Sequence, residues 1–191
     1  RRNDCKKTCT LTEEKNNVTL RFESSIESCG NMFRDLDNII EIDLSKFDTS
    51  KVKSMRSMFY ECSNMVTIHF GNIKTYSLEN IEFLFYGCSK LKSIDLSHFD
   101  LSKVISMNAL FYKCSNLVKI DFAEINTSSL KNMEYLFYGC SKLNSIDLSK
   151  FDISHVTSMK AMFYECSNLE TINFGNINTS SLENMEYLFY G

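Results

Sequence analysis

The chain has 191 residues, of which 43% are hydrophobic and 24% charged, with a formal net charge of −3 and neither Pro nor Trp. That is enough apolar content for a buried core, and no basic run is long enough to grip nucleic acid. No stretch of about 18 apolar residues is present, so no membrane-spanning helix is expected. The chain opens on Arg1-Arg2 without an initiator Met or a signal-peptide pattern, which reads as a processed product or a fragment.

Residues 1–25 do not repeat. Cys5, Cys9 and the strand-like segment VTLRF at 18–22 are predicted to form an N-terminal cap. An uncapped stack of coils exposes the apolar face and strand edge of its first member. Cys29 holds the position later taken by Met55, Met107 and Met159, so it is expected to point inward. A disulfide from Cys5 or Cys9 to Cys29 would fasten the cap; three free thiols are the alternative.

From Ile26 to Gly191 the chain repeats with a period of 26. Cys62, Cys88, Cys114, Cys140 and Cys166 keep that spacing, as do Ile42, Ile68, Ile94, Ile120, Ile146 and Ile172. Phe33, Phe59, Phe85, Phe111, Phe137, Phe163 and Phe189 form a third series without exception. A period of 52 lies on top, because coils reading IDLSKFDTSKV alternate with coils reading IHFGNIKTYSL. Leu44, Leu96 and Leu148 therefore face Phe70, Phe122 and Phe174, a large-against-smaller alternation that fills stacked layers.

Within each coil two periodicities follow one another. Ile68-His69-Phe70 alternates apolar and polar, which predicts a short half-buried strand. Val52, Met55, Phe59 and Cys62 recur at steps of three and four, which predicts a helix of roughly ten residues, capped at Asp48, Thr49 or Ser50. The expected fold is an α/β, leucine-rich-repeat-like solenoid of 26-residue strand-plus-short-helix coils, with a parallel sheet along one face. It stops mid-unit at Gly191, one residue before the next expected Cys, as a piece of a longer array would.

The unit FDTS-x-V-x-x-M-x-x-MF-x-x-CS-x-L-x-x-IDLS closely resembles the BspA-like leucine-rich-repeat surface proteins over about nine-tenths of the chain. The resemblance implies a secreted or surface-displayed protein with a binding or adhesive role, and it supplies no catalytic residues. The match to the general leucine-rich-repeat pattern is partial. Leu91, Ile94 and Leu96 fit, but Phe99 stands where Asn or Cys is usual, so Asp100, Asn126, Asp152 and Asn178 are the expected substitutes in bonding the loop backbone.

The main candidate site is the outward row of the sheet: Asp43, His69, Asp95, Asp121, Asp147 and Asn173, flanked by Ser45, Ser97, Ala123 and Ser149. Strands lie about 4.8 Å apart, so its carboxylates crowd. Three explanations stay open: bonding to adjacent Ser, Thr and water; recognition of a partner; and a calcium-like cation. A second stripe, Tyr60, Tyr86, Tyr112, Tyr138, Tyr164 and Tyr190, is expected to pack between coils or to meet glycans or proteins. Arg56, Glu82, Asn108, Glu134, Lys160 and Glu186 form a row in which unlike charges meet.

The repeat cysteines are expected to be buried thiols, since one Cys per coil without a companion is a poor zinc pattern. His98 and His155 stand where other coils have Lys. No Ser/His/Asp or Cys/His constellation emerges, so no enzyme, cofactor or metal site is expected. Asn17, Asn126 and Asn178 begin N-x-S/T sequons, candidates for glycosylation. The residues point to a non-catalytic extracellular or cell-surface recognition or adhesion scaffold for a protein or glycan. The alternative is a building block that self-associates laterally into a coat or filament.

Overall fold

The computed structural model describes residues 25–122 and 125–191. Six short strands recur at the positions where apolar and polar residues alternate: β1 (Glu41–Asp43), β2 (Thr67–His69), β3 (Ser93–Asp95), β4 (Lys119–Asp121), β5 (Ser145–Asp147) and β6 (Thr171–Asn173). In each the central Ile turns inward and the residues on either side turn out, as the two-residue period of a strand requires. The strands pair parallel and in twos, β1 with β2, β3 with β4, β5 with β6. Ile42 stands opposite Ile68, Ile94 opposite Ile120 and Ile146 opposite Ile172. The longer of the two sequence periods is thus a pair of coils: a Leu-type coil (β1, β3, β5) followed by a Phe-type coil (β2, β4, β6).

The opposite stretch of each coil is not the expected helix. Among the described residues there is none, and the Val52-to-Cys62 stripe is a run of tight turns. The hydrogen bonds show why. Met58, Tyr60 and Cys62 donate three residues back, to the carbonyls of Met55, Ser57 and Phe59. The residues between them donate forward to the next coil: Ser57 to Glu82 O at 3.0 Å, Phe59 to Leu84 O at 3.0 Å, Glu61 to Tyr86 O at 2.7 Å. An α-helix would send every N–H four residues back at a uniform negative φ. Here Ser57 and Glu61 sit at φ of 55° and 56°, and their counterparts repeat this in later coils. Left-handed backbone costs about 1 kcal/mol or more per non-glycine residue. The ladder of bonds to the following coil offsets that cost by giving these amides acceptors inside the protein.

Two hydrogen-bonded walls therefore enclose one core. Its spine is the Phe series, whose rings from Phe33 to Phe189 stack 5.4–5.9 Å apart. Met55, Met58, Leu78, Leu84, Leu110 and Leu136 pack around it. No buried side-chain N or O among the described residues lacks a partner. No described helix is long and apolar enough to cross a membrane.

Candidate functional site

The outward row of the strands is built by turns. Immediately after each strand the chain bends, and the acidic residue that ends the strand holds the bend. Asp43 Oδ1 accepts the Ser45 N–H, Asp95 Oδ1 the Ser97 N–H and Asp147 Oδ1 the Ser149 N–H, each at 2.8 Å. Asn173 does the same for Gly175 at 3.0 Å. This is the side-chain-to-backbone turn that Asp and Asn favour. Those bonds, from the Ser hydroxyl and then the Ser N–H, hold the Asp43, Asp95 and Asp147 carboxyls below the usual Asp range. All three stay ionised at neutral pH.

The expected crowding is relieved by neighbours. His69 stands between Asp43 and Asp95 and meets Glu41 at 3.2 Å. Asn173 Nδ2 donates to Asp147 Oδ2 at 3.2 Å. Asp95 and Asp121 are in direct register, and the Lys119 cation lies near enough to help keep Asp95 ionised. Beside the row runs an open groove of about 580 Å³, lined by Glu41, Asp43, His69, Asp95 and His98 over a floor that includes Phe70 and Phe99. Gly71 lines it and packs close on the preceding coil: it sits at φ 57°, and a Cβ there would come within 2.7 Å of Ser45 Cβ. Ala123, in the equivalent small-residue row, lies outside the described residues.

A second set of turns follows. Asp48, Asp100, Asn126, Asp152 and Asn178 each accept the N–H two residues on, at 3.0–3.1 Å. These are the substitutes expected where the usual Asn or Cys is missing. Between coils the same region is bonded by buried threonines that the sequence does not single out: Thr75 Oγ1 accepts Asp100 N–H at 2.6 Å, and Thr127 Oγ1 accepts Asp152 N–H at 2.8 Å. Asn126 and Asn178 of the sequons are exposed at these turns. Asn17 lies outside the described residues.

The tyrosine stripe is a continuous stack. From Tyr60 to Tyr190 the ring centroids are 4.4–4.9 Å apart and the planes within 19° of parallel. Arg34, one coil before Tyr60, closes the stack with its guanidinium 4.0 Å above that ring. Burial in the stack pushes the Tyr86, Tyr138 and Tyr164 hydroxyls to higher pKa. Each inner ring has both faces covered, so the stripe serves packing between coils and shows solvent only its edges.

A further aromatic row escapes a search at the shorter period. Phe83, Tyr135 and Tyr187 recur at the longer one, with Ser57, Ala109 and Ala161 in the alternate coils. Each leans against the tyrosine stack, its plane turned 49° from Tyr86, 52° from Tyr138 and 86° from Tyr190 respectively. The signal for it was in the alternation of coil types. In the charged row, Arg56 meets Glu82 and Lys160 Nζ meets Glu186 at 2.8 Å, as unlike neighbours predict.

The repeat cysteines are buried free thiols. Each donates to the carbonyl of the Phe one coil back, Cys114 to Phe85 O at 3.1 Å for example, and burial raises their pKa, to about 12 for Cys166. Leu36, which holds the Cys position one coil earlier, is 41% exposed, so the equivalence fails in the first coil. Cys29 is buried, and no disulfide joins it to any described residue. Cys5 and Cys9 lie outside the described residues. Among those described, no three His, Cys, Asp or Glu side chains are grouped to hold a metal ion.

The family described as "Mycoplasma protein of unknown function, DUF285" matches residues 7–117 and 79–191. No curated protein matches. Among solved structures the chain is similar to a leucine-rich-repeat protein of T. pallidum, at 20% identity and a TM-score of 0.54, covering 77% of this chain and 61% of that one. A leucine-rich-repeat protein from Bacteroides ovatus ATCC 8483 is matched at 23% identity and a TM-score of 0.38, over 81% of this chain and 46% of that one. The chain therefore spans about three-fifths of the first relative's length and about half of the second's.

Proposed function

The chain belongs to the DUF285 family, within the BspA-like leucine-rich-repeat proteins that its repeat unit resembles, and we propose that it is a non-catalytic recognition scaffold displayed outside the cell. Its partner on the strand face is a protein that presents basic groups. The observation that supports this is the strand row. Asp43, Asp95 and Asp147 are locked by turns and kept ionised, and Asp43 and Asp95 line an open groove. A row of fixed charges on a rigid ladder favours orientation and rapid encounter with an oppositely charged surface. The backbone turn bonds use Oδ1 of each carboxylate, and Oδ2 of Asp147 accepts from Asn173 as well. In the same extracellular setting, Asn126 and Asn178 carry glycans and Cys29 bridges to Cys5 or Cys9 in the cap.

The test uses the full chain and an extended Lys/Arg-rich probe peptide at low salt. Changing Asp95, Asp121 and Asp147 to Asn together should weaken binding at least about tenfold, with the fold intact because Asn keeps the turn. Unchanged binding would overturn the proposal. Concentration-dependent association in sedimentation velocity, without peptide binding, would favour the building-block alternative. A melting temperature raised by calcium, and not raised in the variant, would favour the cation.

A further inference from the structure

We infer that Lys90, Lys92, Lys113, Lys119 and Lys142, on the edge where the tight-turn wall leads back to β3, β4 and β5, bind an acidic polysaccharide. This edge is distinct from the strand row, carries the opposite charge and serves a second partner.

The return segments 87–92, 113–119 and 139–144 contain these five lysines and no Asp or Glu. The matching segments on either side are acidic and contain no Lys or Arg. Asp35, Asp37 and Glu61 lie on the way to β1 and β2, and Glu165 and Glu170 on the way to β6. The change of sign has no source in packing. All the coils share one core, and all five lysines are exposed. Lys113 stands where the other Leu-type coils have Glu61 and Glu165, so the repeat itself does not call for a cation.

The cations are available and partly fixed. Among the described residues none of the five forms an ion pair. Lys119 opens β4 and also helps keep Asp95 ionised. Lys142 Nζ donates to Asn116 Oδ1 at 2.7 Å. The Lys113 stem lies on Gly139, where an added Cβ would come within 3.2 Å of Lys113 Cγ. Two of the side chains are therefore held before a ligand arrives, which lowers the ordering cost of binding.

The borders of the patch select the partner. Five cations without carboxylates, on a chain of net charge −3, call for an anion. Acidic segments close the patch at both ends along the stack, and the Asp row lies on the adjoining strand face. A flat anionic membrane would press on those carboxylates as well, whereas a single narrow chain avoids them. Nucleic acid lacks a platform here, because the neighbouring Tyr86, Tyr112 and Tyr138 have both faces closed in the stack. Lys90 and Lys142 hold the same position two coils apart, roughly 10 Å along the stack. An extended polysaccharide with one acidic group per disaccharide offers charge at a similar interval.

The experiment is calorimetry of the full chain with heparin and hyaluronan oligosaccharides in about 0.1 M salt, where charges still act across about 10 Å. At least one should bind despite the negative net charge: heparin alone assigns sulfate, and hyaluronan assigns carboxylate. The variant Lys92→Gln/Lys113→Gln/Lys142→Gln should bind at least about tenfold more weakly. Lys51→Gln/Lys74→Gln/Lys103→Gln removes the same charge from exposed sites on the opposite turns and should bind as the original does. The Asp95, Asp121 and Asp147 triple variant should keep the polysaccharide, and the patch variant should keep the basic probe peptide, so the two proposals fail separately. Binding of neither polysaccharide, or equal loss in both lysine variants, would overturn the inference. So would equally tight binding of a poly-Glu peptide, a single-stranded oligonucleotide or phosphatidylserine vesicles that the patch variant loses, which would give the edge to another class of partner.

Discussion

Where a Leu-type coil meets the Phe-type coil after it, the strands pair in register and a glycine of the second coil settles against the first, Gly71 over Ser45 and Gly175 over Ser149. Where a Phe-type coil meets the next Leu-type coil, no strand pair forms among the described residues, either between β2 and β3 or between β4 and β5. In its place Phe70 meets Phe99, and Phe122 meets Phe151, edge to face at 4.9 Å. Thr75 and Thr127 then bond across to Asp100 and Asp152. The tight-turn wall is the same at both kinds of junction. One backbone path thus tolerates two ways of closing its strand side, one by strand pairing and the other by ring packing, while a buried threonine also serves the first Leu-to-Phe junction, where Thr49 Oγ1 accepts the Lys74 N–H at 3.1 Å.

The largest expected effect is on ring packing. Phe122→Ala removes one partner of the 4.9 Å pair and should cost about 3–5 kcal/mol in urea unfolding. Hydrogen exchange should quicken at Asp152 N–H across that junction while the β3–β4 amides remain protected. Equal quickening at both would show that the two kinds of junction are not separable. Gly71→Ala attacks the other kind, combining a positive φ with a Cβ only 2.7 Å from Ser45; a loss of about 2–4 kcal/mol is expected by the same measurement. Thr127→Val keeps the shape but leaves Asp152 N–H without its acceptor, at a cost of about 2 kcal/mol. A value near zero would mean that the rings alone hold that junction.

The smallest effect concerns the strand row and is read from pH. Asp43, Asp95 and Asp147 have folded-state pKa values below the ordinary Asp value. Their contribution is therefore fully present above that ordinary value and fades as pH falls through the lowered one. Melting temperature should decline as the pH drops below about 4, and less steeply once these residues are changed to Asn. Identical slopes would remove the turn bonds from the account of stability.

The strands, the Phe spine and the thiol column are legible in the sequence because each recurs once per coil without a break in register. The tight-turn wall is not. Apolar residues at steps of three and four arise from successive turns as readily as from a helix, and what separates the two is where the amides point, which no side chain records. Gly87 and Gly139 carry the one local hint. A glycine inside an apolar stripe is poor helix material but suits the positive φ found there. The strand row is legible as outward-facing, but its bonds to Ser45, Ser97 and Ser149 depend on a bend that strand periodicity does not encode. Phe83, Tyr135 and Tyr187 were hidden for a simpler reason: in every second coil the same position holds Ser or Ala.

The alternation of junctions also limits how such an array can change in length. Deleting or duplicating a single coil would set two coils of the same kind side by side, where a strand seeks a partner that is not offered and a phenylalanine meets no facing ring. Deleting or duplicating a pair of coils restores every junction. Gene slippage and recombination in this family should therefore leave a ladder of product sizes separated by two coils, with the intermediate rungs missing. The effective monomer of the polymer is the dimer of coils, and copy number is counted in pairs.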